Sequence, residues 1–216
     1  MKDSAASCLA ALGALVVLVA GAVFCRNYRA EEPVVEEVEE YIPLEDRYKT
    51  ADYRISPYDS LIKSWSDSAS LDWRFVSAII FHESNFRHDA LSRRGAAGLM
   101  QMMPSTAKAF GADSLLDASQ SVMAGTRYLQ SLSRNYGSVA ANETERQKLT
   151  LAAYNAGEGN ILKCIRTAEE KGVDPTRWDN VVSIIPEVPG FHGKQTIAYV
   201  REVLDTFDEY AEVYPR

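Results

Sequence analysis

Residues 75–111 read FVSAIIFHESNFRHDALSRRGAAGLMQMMPSTAKAFG, an apolar run that ends at one carboxylate, Glu83. A polar turn and a loop punctuated by glycines follow. Asp72 is a candidate N-cap, and the pattern after it predicts a helix over residues 73–82. The stretch therefore predicts a helix that carries an acid at its C-terminal end.

Glu83 lies on the face of this helix that is expected to be buried. Val76, Ile79 and Ile80 precede it by seven, four and three residues, a spacing that places all four on one side. Burial raises the pKa of a carboxyl group, and a carboxyl that stays protonated near neutral pH can donate a proton to a leaving group. The alternative is that Glu83 merely ends the helix and points to water.

The loop after Glu83 combines tight-turn glycines with adaptable side chains. Gly95 and Gly98 allow close backbone approach or positive φ. They precede three methionines and an amide, namely Met100, Gln101, Met102 and Met103. This composition suits a sugar-binding cleft, and it equally suits a connector whose methionines pack in the core.

The chain contains two separated motifs rich in small and polar residues. The first comprises Glu83-Ser84-x-Phe86, Ala90-x-Ser92, Gly95-Ala96-x-Gly98-Leu99-Met100-Gln101-x-Met103-Pro104 and Thr106-Ala107; the second is Ala153-Tyr154-Asn155-Ala156-Gly157-x-Gly159. In this order they resemble the signature of the soluble-lytic-transglycosylase (SLT) family, over about residues 57–210. The resemblance implies an all-α, lysozyme-like domain of the goose-type lysozyme/SLT kind, with its cleft between helical lobes.

Details further along resemble a membrane-bound branch of this family. They are the stretch Gly172-Val173-Asp174-Pro175-Thr176-Arg177-Trp178 and the pair Tyr199-Val200. Members of that branch carry an additional binding-protein-like domain ahead of the catalytic one, for which we expect no room here. Relatives often have Glu-Thr-x-x-Tyr-Val where this chain has Gln195-Thr196-Ile197-Ala198-Tyr199-Val200. A charge-dependent role at Gln195 is therefore in doubt, and Tyr199 is expected either to line the cleft or to pack in the core.

The resemblance implies a peptidoglycan lytic transglycosylase that needs neither water nor a cofactor nor a metal. Glu83 would protonate the oxygen between MurNAc and GlcNAc, and as carboxylate would then deprotonate the MurNAc 6-hydroxyl. That hydroxyl closes on C1 to give a 1,6-anhydroMurNAc end. Residues implied to position the glycan are Ser92, Met100, Gln101 and Asn155, while Tyr154 would face and orient Glu83.

The number of carboxylates agrees with that chemistry. Ordinary glycosidases use two, about 5 Å apart when retaining and roughly 6.5–9.5 Å apart when inverting. The motif region offers one obvious candidate, Glu83, since Asp89 sits in a polar turn. Two alternatives stay open: a hydrolytic muramidase, and an inactive peptidoglycan-binding protein.

Basic residues are concentrated between Glu83 and Gly111. This stretch contains four basic residues, Arg87, Arg93, Arg94 and Lys108, and two acidic ones, Glu83 and Asp89. The whole chain, in contrast, has a net charge of -7. This excess suits a groove for a glycan that bears lactyl or peptide carboxylates. For Arg93 and Arg94 individually, a solvated loop is the favoured interpretation.

Composition limits the class of protein. The 216 residues suit one domain with extensions, and 46% of them are hydrophobic, which is ample for a core. The acidic balance argues against nucleic acid as the main partner. Three cysteines provide no disulfide framework, and the histidines lack metal-ligand spacing.

The N-terminal quarter divides into an apolar segment and an acidic linker. Residues 8–25, CLAALGALVVLVAGAVFC, are near the lower limit for spanning a bilayer, so residues 1–25 are a signal-anchor, a cleaved signal peptide or a lipoprotein signal acylated at Cys25. Phe24 is unfavourable for the last. All three export the chain to the bacterial cell envelope, on the periplasmic face, and the first and last anchor it in the membrane. Residues 26–56 are an extended acidic spacer, and residues 57–212 form the SLT-type domain.

Further helices follow from periodicity and capping signals. They are predicted over residues 57–69, 119–136, 143–155, 158–171 and 194–210, with a short helix beginning at Asp174-Pro175 and irregular chain over residues 181–193.

Overall fold

The computed structural model describes residues 54–216, and this part of the chain is helical. The helices are α1 (Asp59–Ser68), α2 (Trp73–Ser84), α3 (Pro104–Ala109), α4 (Ala118–Tyr136), α5 (Glu143–Ala156), α6 (Glu158–Glu170), α7 (Trp178–Ile184) and α8 (Lys194–Val213). A 3-10 turn, Ile185–Glu187, follows α7. Extended pairing within the described residues is limited to two isolated bridges, Leu91 with Ala97 and Ala97 with Met102. The predicted all-α class is confirmed.

The predicted N-terminal segment, residues 1–25, and most of the predicted linker lie outside the described residues. From residue 54 onward, no helix combines the length and apolarity needed to cross a membrane. Ile55 and Ser56 are already buried, and their backbone N–H groups each donate to the Asp59 carboxylate at 2.8 Å. These bonds fix the chain just before α1, which begins at Asp59 rather than at Pro57, so the packed domain includes Ile55.

Helix α2 forms as its sequence predicts. The Asp72 side chain accepts a hydrogen bond from the Arg74 backbone N–H at 3.0 Å, which confirms the N-cap. Val76, Ile79 and Ile80 are fully buried, as their spacing requires. The helix continues to Ser84, slightly beyond the predicted end, and stops where Asn85 adopts a left-handed conformation with φ of 51°.

Helix α8 packs antiparallel against α2 and holds it at both ends. Near the start of α2, the Arg74 guanidinium donates to the carbonyl oxygen of Tyr214 at 2.9 Å. In the same turn, the rings of Phe75 and Phe207 meet edge to face at 5.5 Å. Near its end, His82 Nε2 lies 2.9 Å from Thr206 Oγ1. The position of the helix that carries Glu83 therefore depends on the last helix of the chain.

Helix α4 forms the other side of the core. Its inward-facing residues are all buried: Val122, Met123, Thr126, Leu129 and Leu132. Gly125 lies on the same helix, and a Cβ placed there would be 2.2 Å from the sulfur of Met100. The loop after α2 therefore packs its first methionine directly against the backbone of α4.

The C-terminal elements differ from the prediction. The short helix expected at Asp174-Pro175 begins at Trp178, because the Trp178 N–H donates to the buried carboxylate of Glu145. Helix α7 and the 3-10 turn occupy part of the segment expected to be irregular. Helix α8 extends past residue 210, and Tyr214 packs edge to face on Trp73 at 6.2 Å.

Candidate active site

A cavity of about 430 Å³ opens at the C-terminal end of α2, and Glu83 lines it. Four more predicted site residues line the same cavity: Ser92, Gln101, Tyr154 and Asn155. The remaining lining residues are Arg94, Ala96, Met102, Met103, Thr106, Tyr128, Ala156, Gly157 and Gln195. A larger cavity, about 630 Å³, lies near the start of α2, and no residue of either motif lines it. The two motifs, far apart in sequence, thus meet at one site.

Glu83 is held by a tyrosine from α8. The Tyr199 hydroxyl donates a hydrogen bond to Glu83 Oε1 at 2.7 Å. Burial raises the pKa of Glu83 from 4.5 to about 7, and the hydrogen bond from Tyr199 opposes this rise because it stabilises the carboxylate. The protonated and ionised forms of Glu83 therefore coexist near neutral pH. A group that first donates a proton and then accepts one needs both forms to be accessible.

The tyrosine that contacts the acid is not the one that was predicted. Tyr154 was expected to orient Glu83, but its hydroxyl donates to the carbonyl oxygen of Met100 at 2.7 Å. Tyr199, for which the sequence left cleft and core both open, is buried and makes the bond to the acid. Burial and the nearby Glu83 raise the pKa of both tyrosines well above its ordinary value, so both remain hydrogen-bond donors.

Met100 is present in the site through its backbone alone. Its side chain is fully buried and is not part of the cavity lining. Its N–H donates to Ser121 Oγ at 3.2 Å, and its carbonyl oxygen accepts the bond from Tyr154. The methionines that line the cavity are Met102 and Met103, which the sequence analysis had noted without assigning them to the site.

Gln101 holds the loop in shape as well as lining the cavity. Its Nε2 donates to the carbonyl oxygens of Ala90 and Gly98, at 3.0 Å each. The residue has a φ of 45°, a strained value for a side chain other than glycine, which these two bonds offset. Since the nitrogen is engaged, the amide oxygen is the acceptor that Gln101 offers to a ligand.

Asn155 and the aromatic wall complete the cavity. Asn155 Oδ1 accepts a hydrogen bond from Thr196 Oγ1 at 2.9 Å, which ties the end of α5 to α8 and leaves the amide N–H groups for a ligand. The rings of Tyr128 and Tyr154 lie 5.5 Å apart, and Phe110 continues the row 5.2 Å from Tyr128. Tyr128 was missed because, on α4, its spacing is that of an ordinary core residue.

Glu83 is the one carboxylate among the described residues that line this cavity. Asp89, the nearest alternative in sequence, is exposed and lies 3.7 Å from the Arg87 guanidinium. Within residues 54–216, no group of three histidine, cysteine or acidic side chains is arranged to hold a metal ion. The site thus offers a single acid–base group.

Comparison with known proteins gives a consistent result. The family model for the transglycosylase SLT domain matches residues 60–175. Membrane-bound lytic murein transglycosylase F of Marinobacter nauticus is 36% identical over 135 residues, which are 62% of this chain and 26% of that protein. The protein of the same name from Desulfosudis oleivorans is 27% identical over 196 residues, 86% of this chain and 43% of that one. The chain thus spans less than half the length of these relatives.

Solved structures agree on the fold. An inactive mutant of the lytic transglycosylase Slt from Pseudomonas aeruginosa superposes with a TM-score of 0.56 at 27% identity, over 71% of this chain and 24% of that one. The complex of a 70-kDa soluble lytic transglycosylase with bulgecin A superposes with a TM-score of 0.53 at 28% identity, over 72% of this chain and 24% of that one. The expected lysozyme-like fold, and the resemblance to a membrane-bound branch of the family, are confirmed.

Proposed function

Because this chain belongs to the family of transglycosylase SLT domains, we propose that it is a peptidoglycan lytic transglycosylase. It cleaves the β-1,4 bond between MurNAc and GlcNAc without hydrolysis, leaves 1,6-anhydroMurNAc ends, and acts in remodelling or turnover of the cell wall. One observation carries the proposal: a cavity in which a single carboxyl, with its pKa near 7, is held by a buried tyrosine.

The first step is proton donation by Glu83. Tyr199 occupies Oε1, so Oε2 is the oxygen that carries the proton toward the cavity. Glu83 delivers this proton to the oxygen that leaves C1 of MurNAc as the glycosidic bond breaks. As Glu83 becomes ionised, the hydrogen bond from Tyr199 strengthens and stabilises the new negative charge.

In the second step Glu83 acts as a base. Its carboxylate takes the proton of the MurNAc 6-hydroxyl, and the 6-oxygen forms a bond to C1. The proton that left in the first step is thereby replaced, and no water is consumed. Because the nucleophile is part of the substrate, it is already close to C1. The reaction therefore needs no second carboxylate of the kind that ordinary glycosidases use.

The remaining lining residues bind the glycan. The Gln101 amide oxygen accepts, and the Asn155 amide nitrogen donates, hydrogen bonds to sugar hydroxyl and acetamido groups. Met102, Met103 and Tyr128 supply the apolar surface on which sugar rings pack. Ser92 shapes the loop, because its Oγ accepts the Ala96 N–H at 2.8 Å.

The domain acts at the cell envelope. The apolar residues 1–25 anchor or export it, the acidic residues 26–56 hold it off the membrane, and the catalytic part at residues 57–212 reaches the periplasmic glycan. The name of these relatives, membrane-bound lytic murein transglycosylase F, supports both the envelope location and the glycan substrate.

Mass spectrometry of muropeptides released from purified sacculi tests the function. The wild-type protein is expected to release anhydro-muropeptides, which are lighter by one water molecule than hydrolysis products. The Glu83→Gln variant should release none, while Asp89→Asn, which changes an exposed carboxylate outside the cavity, should match the wild type. Reducing-end products would identify a hydrolytic muramidase. If neither the wild type nor Glu83→Gln releases muropeptides, the result would identify a binding protein.

A further inference from the structure

The structure separates two neighbouring arginines that the sequence could not tell apart. Arg93 and Arg94 are both exposed, but Arg94 lines the cavity that contains Glu83 and Arg93 does not. Among the lining residues that the structure describes, Arg94 carries the one permanent positive charge. None of the ion pairs found in residues 54–216 involves it.

A hydrogen-bonded turn fixes the backbone of Arg94. The Ser92 N–H donates to the Ala96 carbonyl oxygen at 2.8 Å, and the Ala96 N–H donates back to Ser92 Oγ at 2.8 Å. The Gly95 N–H closes the turn on the Ser92 carbonyl oxygen at 3.0 Å, with a φ of 89° that favours glycine. Arg94 thus lies in a hydrogen-bonded turn, and this turn places the residue in the lining of the cavity.

The other groups in the cavity leave this charge uncompensated. Glu83 is the one acid among the described lining residues, and burial keeps it protonated for a large part of the time at neutral pH. Gln195, the lining residue that α8 contributes, is neutral. When Glu83 is protonated and ready to donate, the described lining is therefore net positive, which favours a negatively charged ligand group.

We propose that Arg94 binds a carboxylate group of the glycan strand and so selects strands that carry one. A guanidinium presents a planar pair of N–H donors that matches a carboxylate in geometry and charge. The inference rests on the proposed function, since it supposes that a peptidoglycan strand enters this cavity. The carboxylate belongs either to a stem peptide or to the lactyl group of a MurNAc that has lost its peptide.

Steady-state kinetics with the full chain test this on soluble glycan strands that carry tetrapeptides. Arg94→Gln should raise KM about twofold to fivefold with little change in kcat, on these strands if the ligand is a stem-peptide carboxylate and on amidase-stripped strands if it is the lactyl carboxylate; this is the size expected for a solvent-accessible ion pair. Arg93→Gln removes the same charge one residue away, outside the cavity, and should leave KM unchanged. Arg94→Lys should recover part of the loss. Equal effects of Arg93→Gln and Arg94→Gln, or a fall in kcat alone, would overturn the proposal.

Two further substrates identify the source of the carboxylate. Strands stripped by an amidase lose every peptide carboxylate and expose the lactyl carboxylate. If Arg94→Gln raises KM on peptide-bearing strands alone, the ligand is the stem peptide; if it does so on stripped strands, the ligand is the lactyl group. Amidation of the carboxylates with a carbodiimide and ammonia should abolish the difference between wild type and Arg94→Gln, and a difference that survives amidation would refute the proposal.

Binding measurements separate this inference from the proposed function. In a Glu83→Gln background, the Kd for tetrapeptide strands can be measured by calorimetry without turnover, with and without Arg94→Gln. If the wild type forms no anhydro products but Arg94→Gln raises this Kd, the function fails and the carboxylate site stands. If anhydro products form and neither KM nor Kd depends on Arg94 with tetrapeptide-bearing or with stripped strands, the carboxylate site fails alone.

Discussion

Replacing Glu83 with glutamine should stabilise the protein, and the gain should grow with pH. Burial places the folded-state pKa of Glu83 at about 7, above its ordinary value of 4.5. The stability that the buried neutral carboxyl contributes is fully present below pH 4.5 and is lost as the pH rises to 7, because the unfolded chain releases this proton first. Glutamine keeps the shape and can still accept the Tyr199 hydrogen bond, but it never ionises.

The size of the effect follows from the two pKa values. A shift from 4.5 to about 7 corresponds to a limit of about 3 kcal/mol above pH 8, with about 1 kcal/mol of it already present at pH 5. The difference in unfolding free energy between Glu83→Gln and wild type should therefore grow by about 2 to 2.5 kcal/mol between pH 5 and pH 8. For a domain of this size, that is roughly 4–10 °C in Tm.

Urea unfolding of both proteins at pH 5, 6, 7 and 8 measures this quantity directly. Asp89→Asn is the matched control, because it neutralises an exposed carboxylate that lies outside the cavity. A gain for Glu83→Gln that is the same at pH 5 and pH 8 would refute the reasoning, since it would mean that Glu83 ionises equally easily in the folded and unfolded chains.

Three further predictions follow from the same contacts. Tyr199→Phe removes the bond that favours the carboxylate, so the pKa of Glu83 should rise and the alkaline limb of kcat/KM should move up by about one pH unit; a limb that stays in place would contradict this. Gly98→Ala would put a Cβ 1.9 Å from the Leu115 carbonyl oxygen at a φ of 77°, so urea unfolding should show a loss of about 3 kcal/mol or more, whereas Gly159→Ala, which meets open space, should cost nothing. Met100→Ala empties a fully buried position and should cost about 2–5 kcal/mol by the same assay, and a cost below about 1 kcal/mol would argue against its placement in the core.

The features that could be predicted from sequence are those set by nearby residues. The N-cap of α2 is a bond between Asp72 and Arg74, and its buried stripe follows from the period of the helix, so Glu83 could be placed at the end of a buried face. The resemblance of the motifs then indicated the loop that lines the cavity. Local propensity and spacing were sufficient for these elements because no distant partner decides them.

The features that could not be predicted depend on contacts between distant residues. Tyr199 contacts Glu83 although 116 positions separate them in the sequence. Tyr154 and Tyr199 both lie on helical faces whose residue pattern is equally compatible with a core role. Helix α7 starts at Trp178 because of a carboxylate 33 residues earlier. Met100 was predicted to touch the glycan, but its side chain packs against Gly125 on α4, a match of shape that no periodicity in either segment reveals.

The pairing of α2 with α8 also orders events while the protein is being made. Translation produces Glu83 long before Tyr199, so a growing chain holds the acid without its hydrogen-bond donor and without the helix that encloses it. Contacts of such long sequence separation form late in folding. The site that we propose to act on the cell wall is thus completed last, and an interrupted chain that ends before α8 lacks the tyrosine that contacts Glu83.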